Sequence, residues 1–268
     1  MHKFQTIIVE GTIGVPAYSH TMFREKSHRY ALVVPVLNEN ERLLQQLSSI
    51  QAEEFPVDIV IADGGSTDGS TEPNILFELG VSSLLRKTGP GKLSGQLRMA
   101  FSWCLKEGYL GVITMDGNNK DGPEGILAII AALNEGYDFV QGSRFIHGGQ
   151  AIRTPKIRLA AIKLIHAPIT SLAARRHFTD TTNGFRGYSL SLLESTRMSI
   201  FRDIFNAYEL VFYFPIRASR LGFKVVEVPV RRTYPIAGPT PTKIVGFRAY
   251  IKLTRMLIEA SFGKFDPK

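Results

Sequence analysis

Val112-Ile-Thr-Met-Asp-Gly-Asn-Asn-Lys-Asp-Gly-Pro-Glu124 joins a short apolar run directly to a cluster of acids and amides, then breaks at Gly122-Pro123. An acid at the carboxyl end of a parallel strand sits where an open α/β sheet presents its ligand crevice. Hard cations such as Mg²⁺ and Mn²⁺ take oxygen ligands, usually one or two carboxylates together with substrate phosphates. Asp, Asn and Gly also dominate plain surface turns, so the segment alone leaves both readings open.

Two earlier runs end the same way. Tyr30-Ala-Leu-Val-Val-Pro-Val-Leu-Asn-Glu39 passes from β-branched residues to Asn38 and Glu39. Val57-Asp-Ile-Val-Ile-Ala62 runs into Asp63-Gly-Gly-Ser-Thr-Asp-Gly-Ser70. Between these runs lie helical patterns. Leu43, Leu44, Leu47 and Ile50 share one side of a helix over residues 41–50; Leu97, Ala100, Phe101, Cys104 and Leu105 do so over residues 96–107. This alternation predicts an α/β fold, a parallel sheet with crossover helices. All three polar tails then emerge at one edge.

Val33-Val-Pro-Val-Leu-Asn-Glu39, Ala62-Asp-Gly-Gly-Ser-Thr-Asp68 and Met115-Asp-Gly-Asn118 resemble the three opening motifs of family-2 glycosyltransferases. Gly142-Ser-Arg144, Asp180-Thr-Thr-Asn-Gly-Phe-Arg186 and Gly222-Phe-Lys-Val-Val-Glu-Val-Pro229 follow in the family's usual order. Six motifs in register across residues 29–235 are specific in a way one motif is not. The resemblance is closest to the dolichol-phosphate-mannose-synthase-like branch. It implies a GT-A (Rossmann-like) fold, a mixed, mostly parallel sheet flanked by helices. It also implies a nucleoside-diphosphate sugar donor, Mg²⁺ or Mn²⁺, and inversion at the anomeric carbon. The implied acceptor is a hydroxyl, as on a glycan, or a polyprenyl phosphate.

Carried over residue by residue, the resemblance assigns the nucleoside to Pro35, Val36, Asn38, Glu39 and Asp63. A carboxylate there accepts charge-assisted hydrogen bonds from a base N–H or ribose hydroxyls. The family often has two adjacent acids where this chain has Asp63-Gly64, so only Asp63 transfers. Asp68 reads as a turn acid capping the helix that follows. The metal falls to Asp116 and Asn118. Here the usual Asp-x-Asp has become Asp116-Gly-Asn118, and a cation, Lys120, stands where relatives often place a metal-reaching Gln. Two explanations stay open: Lys120 contacts the diphosphate directly, or Asp121 turns inward as a ligand.

Cations should surround a diphosphate whose charge grows as the glycosidic bond breaks. Lys92 follows Gly89-Pro-Gly91, where the family approaches the nucleotide, and Arg98 lies a turn further on. Arg144 and Arg158 are the diphosphate or acceptor candidates, with Arg153 and Lys156 undecided beside them in a Gly/Pro-containing stretch suited to a mobile loop. Asp180 is the candidate catalytic base for a hydroxyl acceptor; a phosphate acceptor needs none, and Asp180 then orients other groups. Asn183 and Arg186 support the same site. Glu209, the acid of an apolar helix pattern interrupted by Pro215, is either a site residue or a helix-start charge. Residues 224–230 read as an edge or half-covered strand with Glu227 structural.

Arg231-Arg-Thr-Tyr-Pro-Ile-Ala-Gly-Pro-Thr-Pro-Thr-Lys243 reads as a loop outside the core. It is either a linker or a basic lid built from Arg231, Arg232, Tyr234 and Lys243. Residues 244–262 form an amphipathic pattern with a basic face, which packs on the domain or lies on an anionic membrane surface. No stretch offers about 18 uninterrupted apolar residues, so no spanning helix is expected. The domain plan is thus an N-terminal extension with an extra strand (1–28), a glycosyltransferase domain (29–235), and a loop plus helix (236–268).

With 268 residues and 44% apolar content the chain can bury a full core. Its net charge of +8 suits an anionic ligand, and the absence of a recognisable nucleic-acid module points away from DNA or RNA. A single cysteine, Cys104, forms no internal disulfide and fits a reducing, cytoplasmic setting. Neither a homo-oligomer nor peripheral contact with the cytoplasmic membrane face conflicts with the sequence. Two rivals remain: a nucleotidyltransferase, which normally carries an N-terminal Gly-rich phosphate loop, and a non-catalytic nucleotide-sugar-binding module, suggested by Asn118 and Lys120.

Overall fold

The structure, a computed structural model, describes residues 2–236 and 246–267. Four parallel strands form its centre: β3 (Tyr30–Val36), β4 (Asp58–Asp63), β5 (Val81–Lys87) and β6 (Gly111–Thr114). Strands covered on both faces read as continuous Val/Ile/Leu runs, and β4 and β6 are buried at every residue. The crossovers are α1 (Glu41–Ala52), α2 (Pro73–Glu78) and α3 (Leu93–Lys106). From β3 the chain winds outward through β4 to β5, then returns to place β6 on the other side of β3. That reversal is a topological switch point, where open α/β sheets hold their ligands.

Beyond β6 the sheet becomes mixed. β9 (Arg186–Ser189) runs antiparallel between β6 and β7 (Phe139–Ser143), and β10 (Val225–Pro229) closes that edge parallel to β7. At the other edge β1 (Thr6–Val9) and β2 (Tyr18–Met22) add antiparallel to β5. Residues 1–28 therefore contribute two strands where the sequence suggested one. Among the described residues the sheet has nine strands, in the order β1-β2-β5-β4-β3-β6-β9-β7-β10. A second, two-stranded parallel sheet pairs β8 (Gln150–Ile152) with β11 (Arg231–Thr233).

One face of the large sheet packs against α1, α2 and α4 (Gly125–Asn134). The other packs against α3, α7 (Leu190–Glu194), α8 (Glu209–Arg220) and α9 (Phe247–Ser261). Two sequence expectations are corrected here. The helical pattern interrupted at Pro215 is one continuous helix, because Leu210, Phe212, Phe214 and Ile216 are all buried and packing outweighs the local break. The loop expected around Arg153–Arg158 is in its second half helical: α5 (Lys156–Ala161) runs through a π-helical turn (Ile162–His166) into α6 (Ala167–Ala174).

That continuous helix also corrects the absence of a spanning candidate. By length and composition, Lys156–Ala174 is apolar enough to cross a membrane, and 28% of its apolar window is buried inside the protein. The sequence criterion failed because Lys156, Arg158 and Lys163 interrupt its first half.

Phe214 is fully buried, with its ring 4.6 Å from Tyr188 and 5.9 Å from Phe101. Phe214→Ala should cost about 3–5 kcal/mol, read as a lowered urea midpoint with unchanged slope. Leu172→Ala, on an exposed side chain, should stay within about 0.5 kcal/mol of wild type.

Candidate active site

The tails of β3 and β4 are stitched together by side chains that turn the backbone. Asn38 Oδ1 accepts from Thr67 N at 2.8 Å, and Asn38 N donates to Ser66 Oγ at 2.9 Å. Asp63 is fully buried; one oxygen accepts from Gly65 N and Ser66 N, the other from Arg86 Nε at 2.9 Å. Gln96 Nε2 donates to both Val36 O and Ala62 O. Asp68 does not cap the helix after it. Its carboxylate accepts from Asn40 N at 2.7 Å and so holds the start of α1; α2 begins after Glu72 instead.

These tails open onto a cleft of about 1230 Å³. Pro35, Val36, Glu39, Lys92, Asp116, Asn118, Arg144 and Arg158 all line it. Six expected site residues do not line it: Asn38, Asp63, Asp180, Asn183, Arg186 and Glu209. They buttress its wall. Arg186 donates to the carbonyls of Thr181, Asn183 and Val211, fixing the 181–183 turn. Glu209 accepts from Ala207 N at 2.6 Å, at the entry to its own helix. Arg98, expected near the diphosphate, is buried and donates to Gly14 O and Asp203.

Asp180 has no exposed surface. Arg144 holds it in a fork, Nε to Oδ2 at 2.6 Å and Nη2 to Oδ1 at 2.9 Å. Glu227 accepts from the backbone N–H groups of Thr179 and Asp180 and presents this turn to Arg144. The guanidinium also donates to Thr182 Oγ1 at 3.1 Å while lining the cleft.

Arg232 is the residue that sequence reasoning misplaced. Expected in a loop outside the core, it lies in β11 with 5% exposure, and Tyr234 beside it is also buried. Lys243 lies outside the described residues. Arg232 Nη2 meets Asp116 Oδ2 at 2.8 Å, and Nη1 meets Asp121 Oδ2 at 2.6 Å and Asn183 Oδ1 at 3.1 Å. A signal was present: alternate residues Val228, Val230 and Arg232 continue the buried phase of β10 past Pro229. Gly184 completes the pocket, since a Cβ there would come within 2.5 Å of Asp116 Oδ1.

The charges here set one another's protonation. Burial would raise the Asp116 carboxyl, but Arg232 and Lys120 hold it below the usual carboxylate range. Burial, then Arg232, pushes the Lys120 ammonium down to about 7 against the pull of Asp116 and Asp121. Asp121 is raised by burial. Lys120 Nζ lies 5.3 Å from the Tyr234 ring centroid, and Arg158 Nη1 donates to the Tyr234 hydroxyl at 3.2 Å. A second wall of the cleft comes from α5, the π-helical turn, α8 and α9, through Ile157, Ile162, Ile165, Phe212 and Leu253. Sequence reading had placed none of these residues at the site.

A divalent ion near Asp116 and Asn118 has two features in its favour: Asn118 Oδ1 and Asp121 Oδ1 are both buried without a partner. Two features oppose it. The Asp116 oxygen facing β11 is occupied by Arg232, which also bonds to Asp121, and Lys120 lies in the field of both acids. In this arrangement the donor set does not fit a divalent ion.

The mostly parallel sheet, with its cleft at the switch point between β3 and β6, is the GT-A fold of glycosyltransferases. The chain belongs to glycosyl transferase family 2, whose family model matches residues 31–206. Polyprenol monophosphomannose synthase of Mycolicibacterium smegmatis is 27% identical over 212 residues, covering 77% of this chain and 78% of that protein. Undecaprenyl-phosphate mannosyltransferase of Micrococcus luteus is 27% identical over 205 residues, covering 75% and 82% respectively. Among solved structures, glucosyl-3-phosphoglycerate synthase from Mycobacterium tuberculosis, in complex with Mn²⁺, UDP and glucosyl-3-phosphoglycerate, shares the fold. It has a TM-score of 0.61 at 16% identity, over 90% of this chain and 82% of that one.

Because the Lys120 pKa in the folded protein, about 7, lies below its ordinary 10.5, the native state loses that proton first. From pH 7 to 10.5 the unfolded chain binds more protons at this residue, so its contribution to stability rises with pH; below 7 the cost of the buried charge is fully present. Denaturant titrations of wild type and Lys120→Met across this range should diverge in favour of wild type as pH rises. A pH-independent difference would mean Lys120 stays charged throughout.

Proposed function

We propose that the chain transfers a hexose from a nucleoside-diphosphate sugar to a polyprenyl phosphate, with inversion at the anomeric carbon. The observation that carries this reading is a cleft both cationic and apolar. Lys120, Arg144, Arg158 and Arg232 gather around Tyr234, and apolar side chains of α5, the π-helical turn and α8 line the same cleft. A lipid phosphate has matching parts, an anionic head and a hydrocarbon tail. The names of the two curated relatives support that acceptor and make mannose the first sugar to test.

In this scheme residues 29–235 form the catalytic unit. Pro35, Val36 and Glu39 seat the nucleoside, with Asn38 and Asp63 shaping the seat from behind, and Lys92 approaches the diphosphate. Arg158 and Arg144 take the acceptor phosphate. Its oxygen attacks the anomeric carbon; the bond from that carbon to the diphosphate breaks, and the electron pair departs with the nucleoside diphosphate. A phosphate monoester with a second pKa of about 6 is already ionised at neutral pH, so no proton has to be removed. Asp180, enclosed by Arg144, then positions that guanidinium instead of serving as a base. Asn183, Arg186 and Glu209 brace the surrounding backbone.

The same reading places the protein at a membrane surface. Ile157, Leu164 and Leu172 on α5–α6 and Ile251 and Ile258 on α9 are exposed, interspersed with Lys156, Lys163, Arg248, Lys252 and Arg255. Apolar side chains among basic ones suit the interface of an anionic bilayer.

The test is transfer of radiolabelled sugar from GDP-mannose, UDP-glucose and UDP-galactose to undecaprenyl phosphate in detergent. One donor should yield an organic-extractable product. Arg158→Ala should raise the acceptor KM about tenfold or more, equivalent to about 1.4 kcal/mol, while donor Kd stays unchanged. Transfer to sugar hydroxyls with none to the lipid would contradict the reading.

A further inference from the structure

We propose that the guanidinium of Arg232, together with Lys120, does the work of a divalent cation at this site, so that the donor diphosphate is bound and released without metal. The inference rests on the glycosyl-transfer reading above and concerns how the leaving charge is neutralised.

Position carries the first part of the case. The Asp116 carboxylate follows β6 at the switch point, where an ion serving the diphosphate would have to bind. One of its two oxygens, Oδ2, is bonded to Arg232 Nη2 at 2.8 Å. The same guanidinium is anchored by Asp121 Oδ2 at 2.6 Å and Asn183 Oδ1 at 3.1 Å, on two other segments. It is a fixed charge: Arg232 is 5% exposed, yet it faces the cleft.

Charge balance carries the second. At the position of the motif's second acid stands the neutral Asn118, and two residues on is Lys120, which also lines the cleft. Asp116 and Asp121 both bond to Arg232, and Lys120 lies in their field. A dication added to this set would meet Arg232 and Lys120 directly, with Arg144 and Arg158 on the same cleft. An incoming diphosphate, by contrast, brings negative charge to Arg232 and Lys120, while Arg144 stays paired with Asp180 and Arg158 is left to the acceptor. Arginine pairs with phosphate oxygens through parallel N–H donors, and lysine as a point charge. Held in place before the donor arrives, such groups stabilise the departing diphosphate without reorganising.

The experiment is calorimetric titration of UDP, GDP and dTDP into the full-length protein, once in EDTA and once in excess MnCl₂. A parallel electron paramagnetic resonance measurement counts bound Mn²⁺ with the best of the three nucleotides. The proposal expects one nucleotide to bind with Kd values within about threefold in the two buffers, less than about 0.7 kcal/mol, and no stoichiometric Mn²⁺ signal. Arg232→Gln should lose about tenfold or more of the affinity in EDTA, with Arg232→Lys retaining part of it. Should Arg232→Gln fail to fold, Lys120→Gln supplies the same readout, and the wild-type comparison stands without either. Binding in MnCl₂ alone, with one Mn²⁺ per chain, overturns the proposal and leaves the glycosyl-transfer reading intact. Failure of all three nucleotides in both buffers overturns the donor reading and this proposal with it.

Discussion

One guanidinium holds the site together. Arg232 reaches Asp116 after β6, Asp121 a few residues on, and Asn183 in the turn before β9. A carboxylate as buried as Asp121 survives only when paired, and breaking a buried ion pair by removing one partner costs about 3–5 kcal/mol. The geometry of the anionic corner of the cleft is therefore set from a strand more than a hundred residues away in the chain.

A second buried pair repeats the device. Arg144 and Asp180 form a bidentate contact behind the opposite wall, and Glu227 aligns the Asp180 turn through its backbone. Asp121 and Asp180 are hidden while Arg232 and Arg144 face the cleft. Acids at the rear fix cations at the front, and the front is what a doubly anionic ligand meets. Apolar side chains from α5, the π-helical turn and α8 line the same cleft as these cations.

Much of this was legible in the sequence. β3, β4 and β6 are unbroken apolar runs because both faces of each are covered, and their polar tails mark the sheet's binding edge. Asp116, Arg144 and Lys92 reach the cleft from positions that local pattern alone could suggest. Residues whose roles depend on distant partners were harder to place. Asp68 looked like a turn acid capping the next helix, yet besides Ser70 in its own turn it accepts from Asn40, across the sheet edge. Pro215 looked like a break, yet tertiary packing carries the helix through it. Arg232 sat in a basic, Pro-rich stretch that reads as solvent-exposed, and its burial depends on two acids that the sequence places 111 and 116 residues away.

The central claim is that Asp116 is the anionic pole of a donor cleft and is neutralised by the chain itself. A crystal of the full-length protein soaked with UDP or GDP and MnCl₂, measured at the manganese absorption edge, tests it most directly. The account predicts diphosphate oxygens within hydrogen-bond reach of Arg232 and Lys120, Asp116 still bonded to Arg232, and no anomalous peak beside it. A manganese peak coordinated by Asp116 and Asn118, with Arg232 swung away, would contradict it.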